Sequence, residues 1–222
     1  MIAHLDFNEH EKFLDYCRRP VEQIDLEEGS WLLARTRFPE IDIDERKMEL
    51  NLFAVELSRR MNLNSGERRW LDQINDYLFE ELGFTGNRDN YYDVDNSYLN
   101  RVLECRTGIP ITLSAVYLLL ARRLKLAMAG IGLPGHFVCR AETQSGLIYI
   151  DVFNRGKFLS EKDCDTFIRR AGRLPAPKWL EPRSDAEILA RMCGNLYAIY
   201  QKQDHPTEAR WHEQYIGALN AT

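Results

Sequence analysis

The chain has 222 residues, 45% of them hydrophobic and 28% charged, with a net charge of −5. It is long enough to bury a core without disulfides or metals, and its composition is that of a soluble globular protein. The acidic balance, with lysines and arginines scattered rather than striped, argues against a nucleic-acid-binding chain.

The five cysteines, Cys17, Cys105, Cys139, Cys164 and Cys193, are odd in number, widely spaced and free of any C-x-x-C pattern. Neither a disulfide framework nor a zinc site is indicated. No signal peptide opens the sequence, so the cytoplasm is the expected compartment. The longest apolar run, AVYLLLA at 115–121, is too short to span a bilayer. The expectation is no metal, no cofactor, no membrane and no nucleic acid.

The stretch 7–82 reads as mostly helical. Trp31, Leu32, Leu33 and Ala34 precede a Phe38-Pro39 break. A segment at 45–60 places Met48, Leu52 and Val55 near one face. A third, at 67–82, carries Trp70, Leu71, Ile74, Tyr77, Leu78 and Leu82, with Gly83 as its stop. The loop 84–96 is rich in Asn, Asp and Gly; its aspartates do not match the ligand spacing of a calcium loop.

A short helix is predicted at 98–105 and a second at 112–126, where Leu113, Val116, Tyr117, Leu120 and Leu124 form a stripe that belongs to the core. Strands follow at 137–142 and 147–152, joined by a hairpin-type loop, with a third strand at 127–133. Residues 157–170 return to helix. Pro175, Pro177 and Pro182 mark an extended linker. Beyond it, Asn195, Leu196, Tyr200 and Ala209 match the spacing of a tetratricopeptide hairpin, with an ordinary terminal hairpin as the equal alternative. One such unit cannot bury its own face, so it packs on the main domain or on another subunit. These readings divide the chain into a helical part (1–83), a core (84–174), a linker (175–184) and a hairpin (185–222).

The chemistry concentrates at 108–154. A thiol hydrolase needs a thiolate at a helix start, a histidine that takes its proton and a carboxylate that orients the histidine. Gly108-Ile109-Pro110 opens the apolar helix, His136 follows in PGHF, and Asp151 follows in YIDVFN. Pro110 stands where the cysteine would be and Ser114 one turn later. Proline suits the first turn of a helix but carries no nucleophile. A His136–Asp151 hydrogen bond is predicted on adjacent antiparallel strands, with Pro110 facing His136. Cys105 is the rescue candidate, near enough in sequence to line the same cleft but at a helix C-terminus, where the dipole raises a thiol pKa. Cys139 lies on the opposite strand face from His136. Glu104 and Arg106 flank Cys105, either as an ion pair in the cleft or as the solvated end of a helix.

The run from LFEELGFTGNRDNYYDVDNSYLNRVLECRTGIPITLSAVYLLLARRL through GLPGHFVCR to YIDVFN closely resembles the SirB/YchA family, bacterial proteins with a transglutaminase-like domain and a tetratricopeptide-like tail. The resemblance covers about 25–200. It implies a mostly helical α+β fold with a transglutaminase-like core of the papain-like superfamily, a helical N-terminal part and a C-terminal helical hairpin. It also makes Pro110 a family trait and supplies no reaction or substrate. The chain departs from the family pattern at Cys105, Lys125, Val152 and Arg155, and its tail is short.

Three functions follow. The first is a catalytically degenerate transglutaminase-like module that binds a protein or peptide through a cleft of Glu104, Arg106, Pro110, Ser114 and Asn154 around a remnant His136–Asp151 dyad. The second is a thiol hydrolase or acyl-transferase using Cys105 with His136 and Asp151. The third is a scaffold that forms a homo-oligomer through the C-terminal hairpin.

Overall fold

Short polar side chains set the helix starts along the chain. In the computed structural model, which describes residues 6–62 and 65–221, Asp6, Asp25 and Asp42 each accept a hydrogen bond from the amide three residues on. Each satisfies a donor that the first helical turn leaves free. They open α1 (Phe7–Cys17), α2 (Leu26–Arg35) and α3 (Ile43–Arg60). The extreme residues of the expected 1–83 and 185–222 spans lie outside the described residues.

The helix α4 (Glu67–Asn75) runs on through a π-helical turn, Asp76–Glu81, and stops at Gly83, whose φ of +73° favours glycine. A short parallel pair, β1 (Thr85–Gly86) and β2 (Thr107–Gly108), brackets α5 (Leu99–Cys105). The central helix α6 (Pro110–Arg123) is buried along nearly its whole length.

A five-stranded sheet follows in the order β6-β5-β4-β3-β7. Its strands are β3 (Met128–Leu133), β4 (His136–Thr143), β5 (Gly146–Asp151), β6 (Lys157–Leu159) and β7 (Pro182–Arg183). All neighbours are antiparallel. The helix α7 (Glu161–Arg170) follows β6, and α8 (Asp185–Lys202) and α9 (Pro206–Ala221) form the C-terminal hairpin. The fold is the expected mostly helical α+β arrangement.

Period-two alternation divides the sheet residues between two layers. Phe137, Cys139, Ala141 and Ile150 join the main core with α6, which extends from Phe13 of α1 to Leu219 of α9. Val138, Tyr149 and Leu159 pack instead with Cys164 and Ile168 of α7 in a smaller second core. No helix among the described residues is long and apolar enough to cross a membrane.

Three expectations need correction. Met48, Leu52 and Val55 do share a face of α3, but that face is about half exposed, at 58%, 59% and 46%. The buried stripe is Leu50, Phe53, Ala54 and Leu57, whose i, i+3, i+4, i+7 spacing is the better helical match. Residues 157–159 are strand rather than helix. Arg155 and Gly156, both at positive φ, turn the chain back along β5, and the helix begins only after the Ser160–Asp163 capping box. Finally, the proline-rich stretch 175–184 is not simply an extended linker. Pro182 and Arg183 pair with β3 at the sheet edge, the position where a proline can join a sheet.

Candidate functional site

The polypeptide before α6 is extended at Ile109, and Pro110 is the first residue of the helix. Proline loses no hydrogen bond there and its ring presets the helical φ. Thr112 fixes the start: its Oγ1 accepts from the Ile109 amide at 3.2 Å and donates to the Asn96 carbonyl at 2.7 Å. Pro110 is thereby held in the wall of a cleft of about 640 Å3 that is also lined by His136, Asp151 and Asn154. A smaller recess beside it shares Pro110 and His136 and reaches Arg191.

His136 begins β4 after a tight turn at Gly135, where φ is +69°. Asp151 ends β5 and caps the 3-10 turn Val152–Asn154. Because the two strands are antiparallel neighbours, the two side chains meet at the same end of the sheet. His136 Nε2 lies 3.0 Å from Asp151 Oδ1, a short contact with a bent N–H geometry. Both residues are buried, Asp151 to 1% exposure and His136 to 8%.

Asn154 completes the carboxylate's shell. Its amide nitrogen donates to Asp151 Oδ1 at 3.2 Å and its Nδ2 to Oδ2 at 2.6 Å. Burial alone would raise the Asp151 pKa. The contact and charge of His136, with the two Asn154 hydrogen bonds, outweigh it and hold the carboxyl below its ordinary value. The Asn154 Oδ1 accepts in turn from Arg88, which lies over the Phe153 ring at 5.1 Å.

The imidazole is clamped by rings. Phe167 of α7 stacks on it with centroids 4.6 Å apart and planes 12° apart, and Phe153 meets it edge-on at 6.3 Å. Arg191 of α8 donates to the carbonyls of Leu133 at 2.9 Å and His136 at 2.7 Å, bracing the turn that presents the ring. With Nε2 turned to Asp151, Nδ1 is the nitrogen left for the cleft. The carboxylate and the two rings together hold the imidazole in one orientation in the cleft wall.

The other sequence candidates lie elsewhere. Cys105 is exposed, but at the end of α5 and outside the cleft lining. Glu104 pairs with Arg101. Arg106, in the left-handed conformation at the α5 C-cap, turns to Glu49 of α3 at 2.8 Å and sits between the Phe53 and Phe84 rings. The Glu104–Arg106 cleft pair is therefore replaced by two separate ion pairs. Ser114, one turn into α6, is wholly buried and its hydroxyl has no partner. Cys139 faces the main core, donates to the Ser114 carbonyl at 3.8 Å, and burial pushes its thiol up to about 12. Burial likewise raises Cys17, Cys164 and Cys193.

Sequence reasoning missed Phe167, Arg88 and Arg191. Phe167 sits on a helix whose pattern is satisfied by Cys164 and Ile168 alone. Arg88 and Arg191 reach the site from a loop and from the C-terminal hairpin, and no spacing rule connects either to His136.

The layout of a helix start, a histidine strand and an aspartate strand end agrees with the comparisons. The chain belongs to the transglutaminase-like superfamily, whose model matches residues 44–194. Its bacterial relatives are UPF0162, or YchA-like, proteins. A UPF0162 protein of Xylella fastidiosa (strain 9a5c) is 32% identical over 81% of this chain and 66% of its own length. The UPF0162 protein YchA of Escherichia coli (strain K12) is 31% identical over 77% of this chain and 63% of its own. F-box only protein 21 of Mus musculus is 34% identical over 72% of this chain but only 26% of its own length. The chain thus spans about two thirds of the bacterial relatives' length. No solved structure matches it.

Proposed function

We propose that this protein is a catalytically degenerate transglutaminase-like module that binds a protein or peptide segment in the His136 cleft. The observation that carries the reading is Pro110. It is the first residue of α6, where a thiol enzyme of this layout needs its nucleophile, and it lines the same cleft as His136 and Asp151. An oriented histidine without the thiol lacks the nucleophile that a thiol hydrolase deprotonates.

The thiols support the same reading. Four are buried, and Cys105 does not line the cleft, so the hydrolase or acyl-transferase alternative has no attacking group beside His136. What remains is a recess with aromatic walls at Tyr91, Phe153 and Phe167, suited to holding a chain segment. In this reading the α8–α9 hairpin is a tetratricopeptide-like unit that stabilises the site through Arg191.

The test is a thiol-directed activity probe together with an amidase assay on wild type and Cys105→Ala. Labelling at the rate of an ordinary exposed thiol, with no turnover in either protein, is expected. Fast labelling or turnover that vanishes in Cys105→Ala would overturn the proposal.

A further inference from the structure

We infer that the His136 cleft selects acidic peptide segments, drawn in by Arg88, Lys157 and Arg170. This rests on the peptide-binding reading above and adds the charge of the ligand. All three side chains line the cleft. None has a carboxylate partner among the described residues: Arg88 donates to the Asn154 side-chain oxygen, and Lys157 and Arg170 make no ion pair.

The chain as a whole is acidic, with 34 acidic residues against 29 basic ones. Several arginines elsewhere are paired: Arg60 with Glu56 and Glu81, Arg106 with Glu49, Arg122 with Asp185, Arg123 with Glu27. The lining sets two carboxylates against the three cations. Asp151 is committed to His136 and Asn154. Asp163 is committed to the Ser160 amide and hydroxyl, at 2.8 and 2.7 Å, where it caps α7. The cleft lining thus keeps an excess of positive charge on a negative protein, and such an excess steers and orients an anionic partner.

A peptide suits the site better than a nucleic acid. The strand β6, which supplies Lys157, ends the sheet on this side, and an edge strand offers backbone groups that another peptide can pair. The net charge of −5 disfavours a long polyphosphate that extends beyond the cleft.

The test is selection of bead-displayed octapeptides by the full-length protein, followed by titration of the recovered sequences. Enrichment of Asp and Glu is expected, with affinity that falls as salt is raised. The double variant Lys157→Glu/Arg170→Glu should weaken binding about tenfold or more, as reversing rim charges does. Lys162→Glu, exposed on α7 but outside the lining, should leave it unchanged. Recovery of neutral peptides whose binding ignores the double variant would overturn the acidic assignment and leave the peptide reading standing. Recovery of no peptide would overturn both. Single-stranded DNA that binds more tightly than the recovered peptides, and is lost in the double variant, would assign the cations to a nucleic acid instead.

Discussion

His136 Nε2 and Asp151 Oδ1 lie 3.0 Å apart at one end of the sheet, with the carboxylate also held by Asn154. Asp151→Ala removes the carboxylate that lies against the His136 ring and accepts both Asn154 hydrogen bonds, leaving those donors without their partner. The expected cost is about 1–3 kcal/mol, measured by urea denaturation. The nitrogen NMR signals of the His136 ring should also shift, because the carboxylate beside Nε2 is gone. A variant with unchanged stability and an unchanged His136 spectrum would mean that the contact does not orient the ring.

Arg191 ties the C-terminal hairpin to the turn that presents His136, through the carbonyls of Leu133 and His136. Arg191→Met keeps much of the aliphatic packing and deletes both charge-assisted hydrogen bonds. Stability should fall by about 2 kcal/mol. Amide exchange at Gly135 and His136 should quicken more than at the far end of β4. Uniform quickening along the strand would make Arg191 a general packing residue instead.

Buried histidines give the fold an acid limit. His212 is fully buried, and burial lowers its pKa to about 4 from an ordinary 6.5; burial lowers His10 as well. At neutral pH both states of the chain hold these rings uncharged. As pH falls below about 6.5, the unfolded chain takes up protons that the folded one refuses, so stability drops until about pH 4 and then levels. For His212 the loss is about 3 kcal/mol. His212→Gln should flatten the slope of stability against pH in that window, read by denaturation at a series of pH values. An equal slope in the variant would contradict the assignment.

Pro110→Cys restores a thiol at the start of α6 beside His136. Cleavage or acyl transfer should stay at background. Loss of a triad nucleophile costs up to about a millionfold, and the thiol alone supplies no oxyanion hole. The new thiol should nevertheless alkylate faster than Cys105, because His136 is already oriented toward the cleft. Labelling no faster than that of Cys105 would mean that His136 does not address this position.

Much of this was legible in the sequence where local rules are strong. The Gly-x-Pro helix start, the hairpin at 143–146 and the His136–Asp151 pairing follow from turn chemistry and strand alternation. The less legible parts depend on long-range packing. Met48, Leu52 and Val55 share a face of α3, but two apolar stripes compete on that helix and only tertiary contacts choose Leu50, Phe53, Ala54 and Leu57 for burial. Arg106 was placed in the cleft because it neighbours Cys105, but its left-handed backbone sends it to Glu49. Phe167 and Arg191 reach His136 from other layers of the fold, so nothing in their local sequence marks them.

The central claim is that this cleft holds a peptide and leaves it chemically unchanged. Mass spectrometry of a cleft-binding peptide containing glutamine, after prolonged incubation with the full-length protein, tests it most directly. The account predicts recovery of the peptide at its original mass, with binding that weakens in Phe167→Ala. Recovery of a cleaved, deamidated or cross-linked peptide, absent from a His136→Ala control, would contradict it.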